Sequence, residues 1–299
     1  MVESQAQKER SFVSEMQNSI QIAPLRPNDI EAAFRLAFNE GWNQTRGDWL
    51  RLLTHQPNGC FGAHSEDRLV GTVTTSVYRG DLAWVGMMLV QREYRGRGIG
   101  RKLMIAALEY AKTEVSTIKL DATPAGKTLY EALGFVPEAG IERWERGGTS
   151  PEADSNPITV EKVKVAEICK IDLMAFGADR ATMLELVSQQ SCTQPLTASS
   201  RDGSSCGYAM ARPGSRAMYL GPIVSIDPRE TSALFERIVG RFGDRAIYVD
   251  LYKGSAVAPR SLSARGFAKQ RDLTRMYWGK PSRAGLSPFI VSIAGPEIG

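Results

Sequence analysis

The chain has 299 residues, with 37 basic and 33 acidic side chains for a formal net charge of +4, and it is 42% hydrophobic and 23% charged. That composition is globular, with one large or two ordinary domains and a core of normal size, and so small a net charge does not point to nucleic acid. No apolar run reaches the roughly 18 residues of a membrane helix, and Cys60, Cys169, Cys192 and Cys206 lack C-x-x-C spacing, which argues against a zinc site or disulfide scaffold and suits a cytoplasmic location.

In chain order, residues 1–19 carry Lys8, Glu9, Arg10 and Glu15 with no apolar stretch, so a disordered tail is expected rather than a signal peptide. A strand begins near Ile20. Asn28 and Asp29 are placed to cap a helix with Ile30, Ala33, Phe34 and Ala37 on its apolar face. Residues 39–47 form a polar connection, and a short helix is expected over 48–54. Two strands, 59–64 and 68–77, flank Ser65-Glu66-Asp67, and the nearly continuous apolar run 82–90 predicts a central strand. After a glycine-rich turn comes a helix, 101–112, then a strand at 117–122 and a helix at 124–133 closed by Gly134. Phe135-Val136 starts another strand.

Residues 148–157 have the composition of a linker. The grammar then restarts: a strand at 158–163, helices at 165–176 and 181–190, strands within 195–225, a helix at 229–242, a strand at 245–251 and a short helix at 256–264. Ala264-Arg265-Gly266-Phe267 echoes Ala132-Leu133-Gly134-Phe135, an internal repeat of two similar units. The resulting division is 20–147 for a first domain, 158–281 for a second, and 282–299 for a Pro/Gly/Ser-rich extension expected to wrap the surface.

Arg95-Gly96-Arg97-Gly98-Ile99-Gly100, between a strand and a helix, is an anion site by construction. Glycines permit a tight turn and close backbone approach. The first helix amides have no partner of their own and point out with the positive end of the dipole, where a diphosphate fits. The spacing is G-x-G-x-G, so it is not the dinucleotide fingerprint G-x-G-x-x-G, and no Walker A motif is present.

This stretch resembles the GNAT superfamily of N-acetyltransferases, whose signature [Q/R]-x-x-G-x-[G/A] is matched by Arg95, Gly98 and Gly100. A second family block follows at Asp121 to Phe135. The resemblance implies an α/β fold of tandem GNAT-like domains, each a mixed, mostly antiparallel twisted sheet flanked by helices. It implies acetyl-CoA as co-substrate, without metal, lying between the 82–90 and 117–122 strands. Met88 and Val90 would pair with the pantetheine, and Gly96, Arg97, Gly98, Ile99, Gly100 and Arg101, with Arg95, would hold the pyrophosphate. It places Tyr130 at the position of the tyrosine facing the coenzyme sulfur. Residues 39–43 resemble the substrate-side segment of two-domain members.

Acetyl transfer needs a neutral amine, an oxyanion donor and an acid for the leaving thiolate. Tyr130 is the candidate acid, and the Leu89 amide the candidate oxyanion donor. Glu40, beside Trp42, is the candidate base, with Asp48 and Asp121 behind it. Glu40, Trp42 and Asn43 are the expected substrate-side residues. The second half has Asp227, Pro228 and Glu230 where the loop would be, which opposes phosphate binding. The expected function is acetylation of a small-molecule primary amine by direct attack in a ternary complex, with no nucleic-acid or membrane partner, by a monomer or homodimer. The alternatives are a CoA-binding regulator without turnover and a protein or peptide acetyltransferase.

Overall fold

The computed structural model describes residues 20–148, 165–191, 193–200, 203–255, 257 and 259–299. The expected tail, most of the linker, the 158–163 strand and Cys192 lie outside the described residues.

The first half runs β1 (Ile20–Pro24), α1 (Ile30–Asn39), α2 (Arg46–His55), β2 (Cys60–Ser65), β3 (Arg68–Tyr78), β4 (Leu82–Val90), α3 (Ile99–Glu114), β5 (Thr117–Ala122), α4 (Pro124–Glu131) and β6 (Val136–Arg146). The second runs α5 (Val165–Phe176), α6 (Ala181–Gln190), β7 (Leu196–Ser199), β8 (Ser205–Arg212), β9 (Met218–Ser225), α7 (Pro228–Gly240), β10 (Ile247–Tyr252), α8 (Pro259–Ser263), β11 (Phe267–Gly279) and β12 (Ile290–Ser292). Helix starts follow local chemistry. Thr45 and Asp48 close a reciprocal capping box on α2, and Thr123 caps α4 by accepting from Gly126 N. Asp29 does not cap α1 with its side chain; its carboxylate accepts from Arg26 N and closes a short 3-10 turn instead.

The strands form one sheet, ordered β1-β2-β3-β4-β5-β11-β6-β10-β12-β9-β8-β7, antiparallel except for β4 with β5 and β10 with β9. Its continuity comes from an exchange. The long strand β11 of the second half lies beside β5 of the first, and the last strand of the first half, β6, lies beside β10 of the second. The repeat is therefore real in grammar but reciprocal in space.

Two buried ion pairs match the exchange residue for residue. Arg275 faces Asp121 in the β11–β5 register and donates from Nε and Nη2 to its two oxygens at 2.8 Å each. Arg143 faces Asp250 in the β6–β10 register and donates from Nε and Nη2 at 2.8 and 2.6 Å. A two-bond fork of this kind aligns the strands as well as attracting them.

The extension does not wrap the surface. Residues 290–292 enter the sheet as β12, and Ile293, Ala294 and Ile298 are fully or almost fully buried. The turn-forming residues around this segment obscure a short apolar run, Phe289-Ile290-Val291-Ser292-Ile293-Ala294, that the sheet absorbs. Beyond it, Pro296 O accepts from Trp84 Nε1 at 3.0 Å and Ile298 O accepts from Tyr78 Oη at 2.9 Å.

Breaking one partner of a buried pair strands a charge, whereas removing both does not. Arg143→Met is expected to destabilise the protein by about 3–5 kcal/mol, and the double variant Arg143→Met/Asp250→Leu to recover most of that loss. Denaturant midpoints of the three proteins check this.

Candidate active site

β4 and β5 are paired only over Leu82–Trp84 and Thr117–Lys119. Beyond that point they part, and the remainder of each strand borders an open wedge. β4 also bulges here. Thr72 faces Leu89 while Thr74 faces Gly86, and Met87, in the extra position, has φ 49°. Its carbonyl accepts from Thr72 Oγ1 at 2.8 Å.

The direction of the β4 amides follows from the ladder. Gln91 N donates to Val70 O at 2.8 Å, so in the alternating antiparallel pattern Leu89 also points to β3. Met88 and Val90 point the other way, into the wedge. The Leu89 amide expected as oxyanion donor is thus committed to the sheet, and Met88 is the amide directed at the gap. Val90 O already shows its orientation, accepting from Arg95 Nε at 2.9 Å.

The glycine turn sits at the wide end of the wedge. Gly96 and Gly98 have φ 76° and 75°, and Gly98 is the left-handed cap of α3. A Cβ at either would meet nothing within 4 Å, so the requirement there is conformational. At Gly100 a Cβ would fall 2.9 Å from Met88 Cε, the mobile end of a flexible side chain. The first helical bond runs from Lys102 N to Gly98 O at 3.1 Å, and the amides of Ile99, Gly100 and Arg101 have no backbone acceptor among the described residues. Buried Ile99 anchors the turn, while Arg95, Arg97 and Arg101 are exposed around it. The residues present fit a diphosphate: three free amides, a helix dipole and three guanidinium groups.

Glu40 is not placed as a base. Its carboxylate pairs with Arg92 Nε and Arg95 Nη2, both at 2.9 Å, on the loop side of β4. Burial alone would raise its pKa, but the two guanidinium groups outweigh it and hold the carboxyl below its ordinary range. Asn43 is also committed elsewhere. Its side chain donates to Ala217 O and accepts from Arg216 N and Ala217 N, each at 3.0 Å, clamping the two halves together. Asp48 is buried in a closed network with Arg51, Arg212 and Glu297.

A small pocket lies at the narrow end of the wedge. Tyr130, Met88 and Trp42 line it, together with Gln44, Asp121, Arg271, Pro296 and Glu297. Tyr130 is 8% exposed, and its hydroxyl has no protein hydrogen bond among the described residues. Burial pushes its pKa well above the usual tyrosine value, so it stays a proton donor across the physiological range. Gly126 admits its ring, because a Cβ there would lie 2.9 Å from Tyr130 Cε2. Both Asp121 oxygens are taken by Arg275, and Glu297 accepts from Arg212 Nη2 at 2.7 Å and Gln44 Nε2 at 3.0 Å. Gln44, Arg271 and Glu297 have no local sequence signature. Two of them arrive from the second half and the C-terminal segment, hundreds of residues from Trp42.

The second half repeats the wedge and fills it. β9 and β10 are parallel over three pairs, Met218–Leu220 with Ile247–Val249, and then β12 inserts between them. Asp227 caps α7, accepting from Arg229 N at 3.0 Å and pairing with Arg229 Nη2 at 2.7 Å. The helix mouth that would receive a phosphate therefore already holds a carboxylate.

A parallel pair that parts at the mouth of a helix is present twice, open and glycine-capped in the first half and filled and Asp227-capped in the second, and this defines the GNAT architecture. Residues 27–135 match the model of the acetyltransferase (GNAT) family, and residues 168–286 match an acetyltransferase (GNAT) domain model. The chain belongs to the GNAT family, as a tandem of two such domains. It is 23% identical over 264 residues to an uncharacterized N-acetyltransferase, YitH, of Bacillus subtilis, covering 87% of this chain and 92% of that one. It is 25% identical over 268 residues to a holothin acyltransferase of Pseudoalteromonas, covering 88% and 89%. Its fold is shared with the crystal structure of a putative acetyltransferase from Pyrococcus horikoshii, with a TM-score of 0.75, 24% identity, and coverage of 94% and 96%.

Gly98→Val forces a β-branched residue into a left-handed cap, at a local cost of about 1–2 kcal/mol, and reorients the α3 amides. Coenzyme A affinity is expected to fall at least about tenfold while the melting transition stays cooperative. Calorimetric titration checks it.

Proposed function

We propose that the protein transfers an acetyl group from acetyl-CoA to a primary amine of a small molecule, by direct attack in a ternary complex. The observation that carries this reading is the alignment of three elements along one wedge: unpaired α3 amides at the wide end, the Met88 and Val90 backbone along the side, and the Tyr130 hydroxyl at the narrow end.

In this reading the diphosphate rests on the amides of Ile99, Gly100 and Arg101. The pantetheine takes the vacant edge of β4, displacing Arg95 from Val90 O. The thioester carbonyl then lies near the Met88 amide, which stabilises the oxyanion in place of Leu89. The amine nitrogen attacks the carbonyl carbon, the C–S bond breaks, and the thiolate takes the Tyr130 proton. The amine gives up its own proton to water, because each carboxylate lining the pocket is already bound to an arginine. Such carboxylates favour an incoming ammonium without competing for its proton. The pocket is small and is lined in part by Trp42, Pro296 and Glu297, which supports a small acceptor over a polypeptide. The relatedness to proteins named as an N-acetyltransferase and a holothin acyltransferase supports turnover over a regulator that only binds coenzyme.

Tyr130→Phe is expected to lower kcat by about a hundredfold, the lower part of the range for a general acid because a thiolate is a fair leaving group, with coenzyme affinity retained. Thiol release on an amine panel measures it, and wild-type kcat in the variant would remove the assigned acid. The pH profile is a separate check. With no free carboxylate base, kcat/KM should rise with pH towards the pKa of the acceptor amine, about 10.4 for an alkylamine. The raised pKa of Tyr130 keeps the acid protonated over that span, so no alkaline fall is expected below about pH 10. A plateau near pH 7 would reveal an enzymic base.

A further inference from the structure

Arg271 stands on β11 next to a register shift at Lys269 and Arg271 that sets it directly opposite Arg143 of β6. Like charges facing each other across a ladder are destabilising. Arg143 is compensated, since Asp250 accepts from it twice. Arg271 is not. It makes no hydrogen bond or ion pair with any described residue, and its Nε is buried without an acceptor. Desolvation, and then the charge of Arg143, lower its pKa to about 10.

The remaining charges around the pocket balance one another. Asp121 is matched by Arg275, Asp250 by Arg143, and Asp48 and Glu297 by Arg51 and Arg212. Among the described residues that line the pocket, the Arg271 guanidinium is left without a bonded counterpart, beside Tyr130 and Glu297. A buried donor without a partner is costly, and a cation more so. Such a group is stable in this position when a ligand supplies the missing acceptor.

We propose that the acceptor is an amine that also carries a carboxylate, and that Arg271 binds that carboxylate. The inference rests on the transferase reading above and names its substrate class. A guanidinium fork matches a planar carboxylate in charge and in geometry. Anchored on β11, the acceptor presents its amine across the pocket to the Met88 and Tyr130 side, with Glu297 at hand for its positive charge. The strand exchange acquires a functional meaning from this: the second half, whose own wedge is filled, supplies the specificity residue of the first.

The test uses the full chain saturated with acetyl-CoA and matched pairs of acceptors, amino acids of different backbone length and their primary carboxamides. Each acid is expected to exceed its amide in kcat/KM by about tenfold or more, mostly through KM, as for a charge-assisted bond. Arg271→Gln should collapse that ratio towards one, and Arg271→Lys should restore part of it. Melting temperature and coenzyme affinity establish that the variants are folded. A second readout needs no turnover: calorimetric titration of the CoA-saturated protein with N-acetyl amino acids and N-acetyl amino amides should show binding of the acids alone, lost in Arg271→Gln. Amides that match acids in the wild type, a preference that survives Arg271→Gln, or no binding of either ligand would overturn the role of Arg271. Turnover without acid preference would do so while sparing the transferase reading. Arg271-dependent binding of acids with no turnover of any amine would do the reverse.

Discussion

Parallel strands that part after three paired residues leave a wedge in each half, and the occupant of each wedge decides what that half can do. In the first, β4 and β5 separate and no described strand enters the gap, while Arg95 contacts its rim. In the second, β9 and β10 separate in the same way and β12 fills the space. An unpaired strand edge exposes donors and acceptors that need partners. One edge obtains them from the protein, and the other is left open beyond the three paired residues.

The C-terminal segment links these two outcomes. Having filled the second wedge as β12, it continues to the first pocket and lies on Gly86, where a Cβ would fall 2.6 Å from the Cα of Glu297. Glu297 is then held by Arg212 from β8 and Gln44 from the first half, within a cluster that also contains Asp48 and Arg51. Charges this deeply buried are stable only when each has its counterpart. The pocket wall is therefore rigid and depends on both halves at once.

The legible part of the site was its backbone part. Gly96, Gly98 and Gly100 announce the turn, with positive φ restricting the residue type at the first two, and Tyr130 lies in a second block, Asp121 to Phe135, further along the chain. Glu40 and Asn43 are expected from the resemblance of residues 39–43 to a substrate-side segment, and Leu89 from its place on the 82–90 strand, but each is committed elsewhere: Glu40 to Arg92 and Arg95, Asn43 to the 215–217 backbone, and the Leu89 amide to β3. Side-chain direction and hydrogen-bond partners are set by neighbours distant in sequence, and a one-residue bulge at Met87 suffices to choose which amides face the wedge.

By itself the sequence determined the order of strands and helices, the repeat, and the glycine-capped helix that suits a diphosphate, because these depend on local periodicity and on allowed backbone angles. Only the tertiary structure decided the exchange of β6 and β11, the insertion of β12, and the meeting of Arg271, Glu297 and Tyr130 in one pocket. Those outcomes rest on pairings across more than a hundred residues, such as Asp121 with Arg275, whose partners are chosen by complementary charge and strand register and leave no periodic trace in the chain.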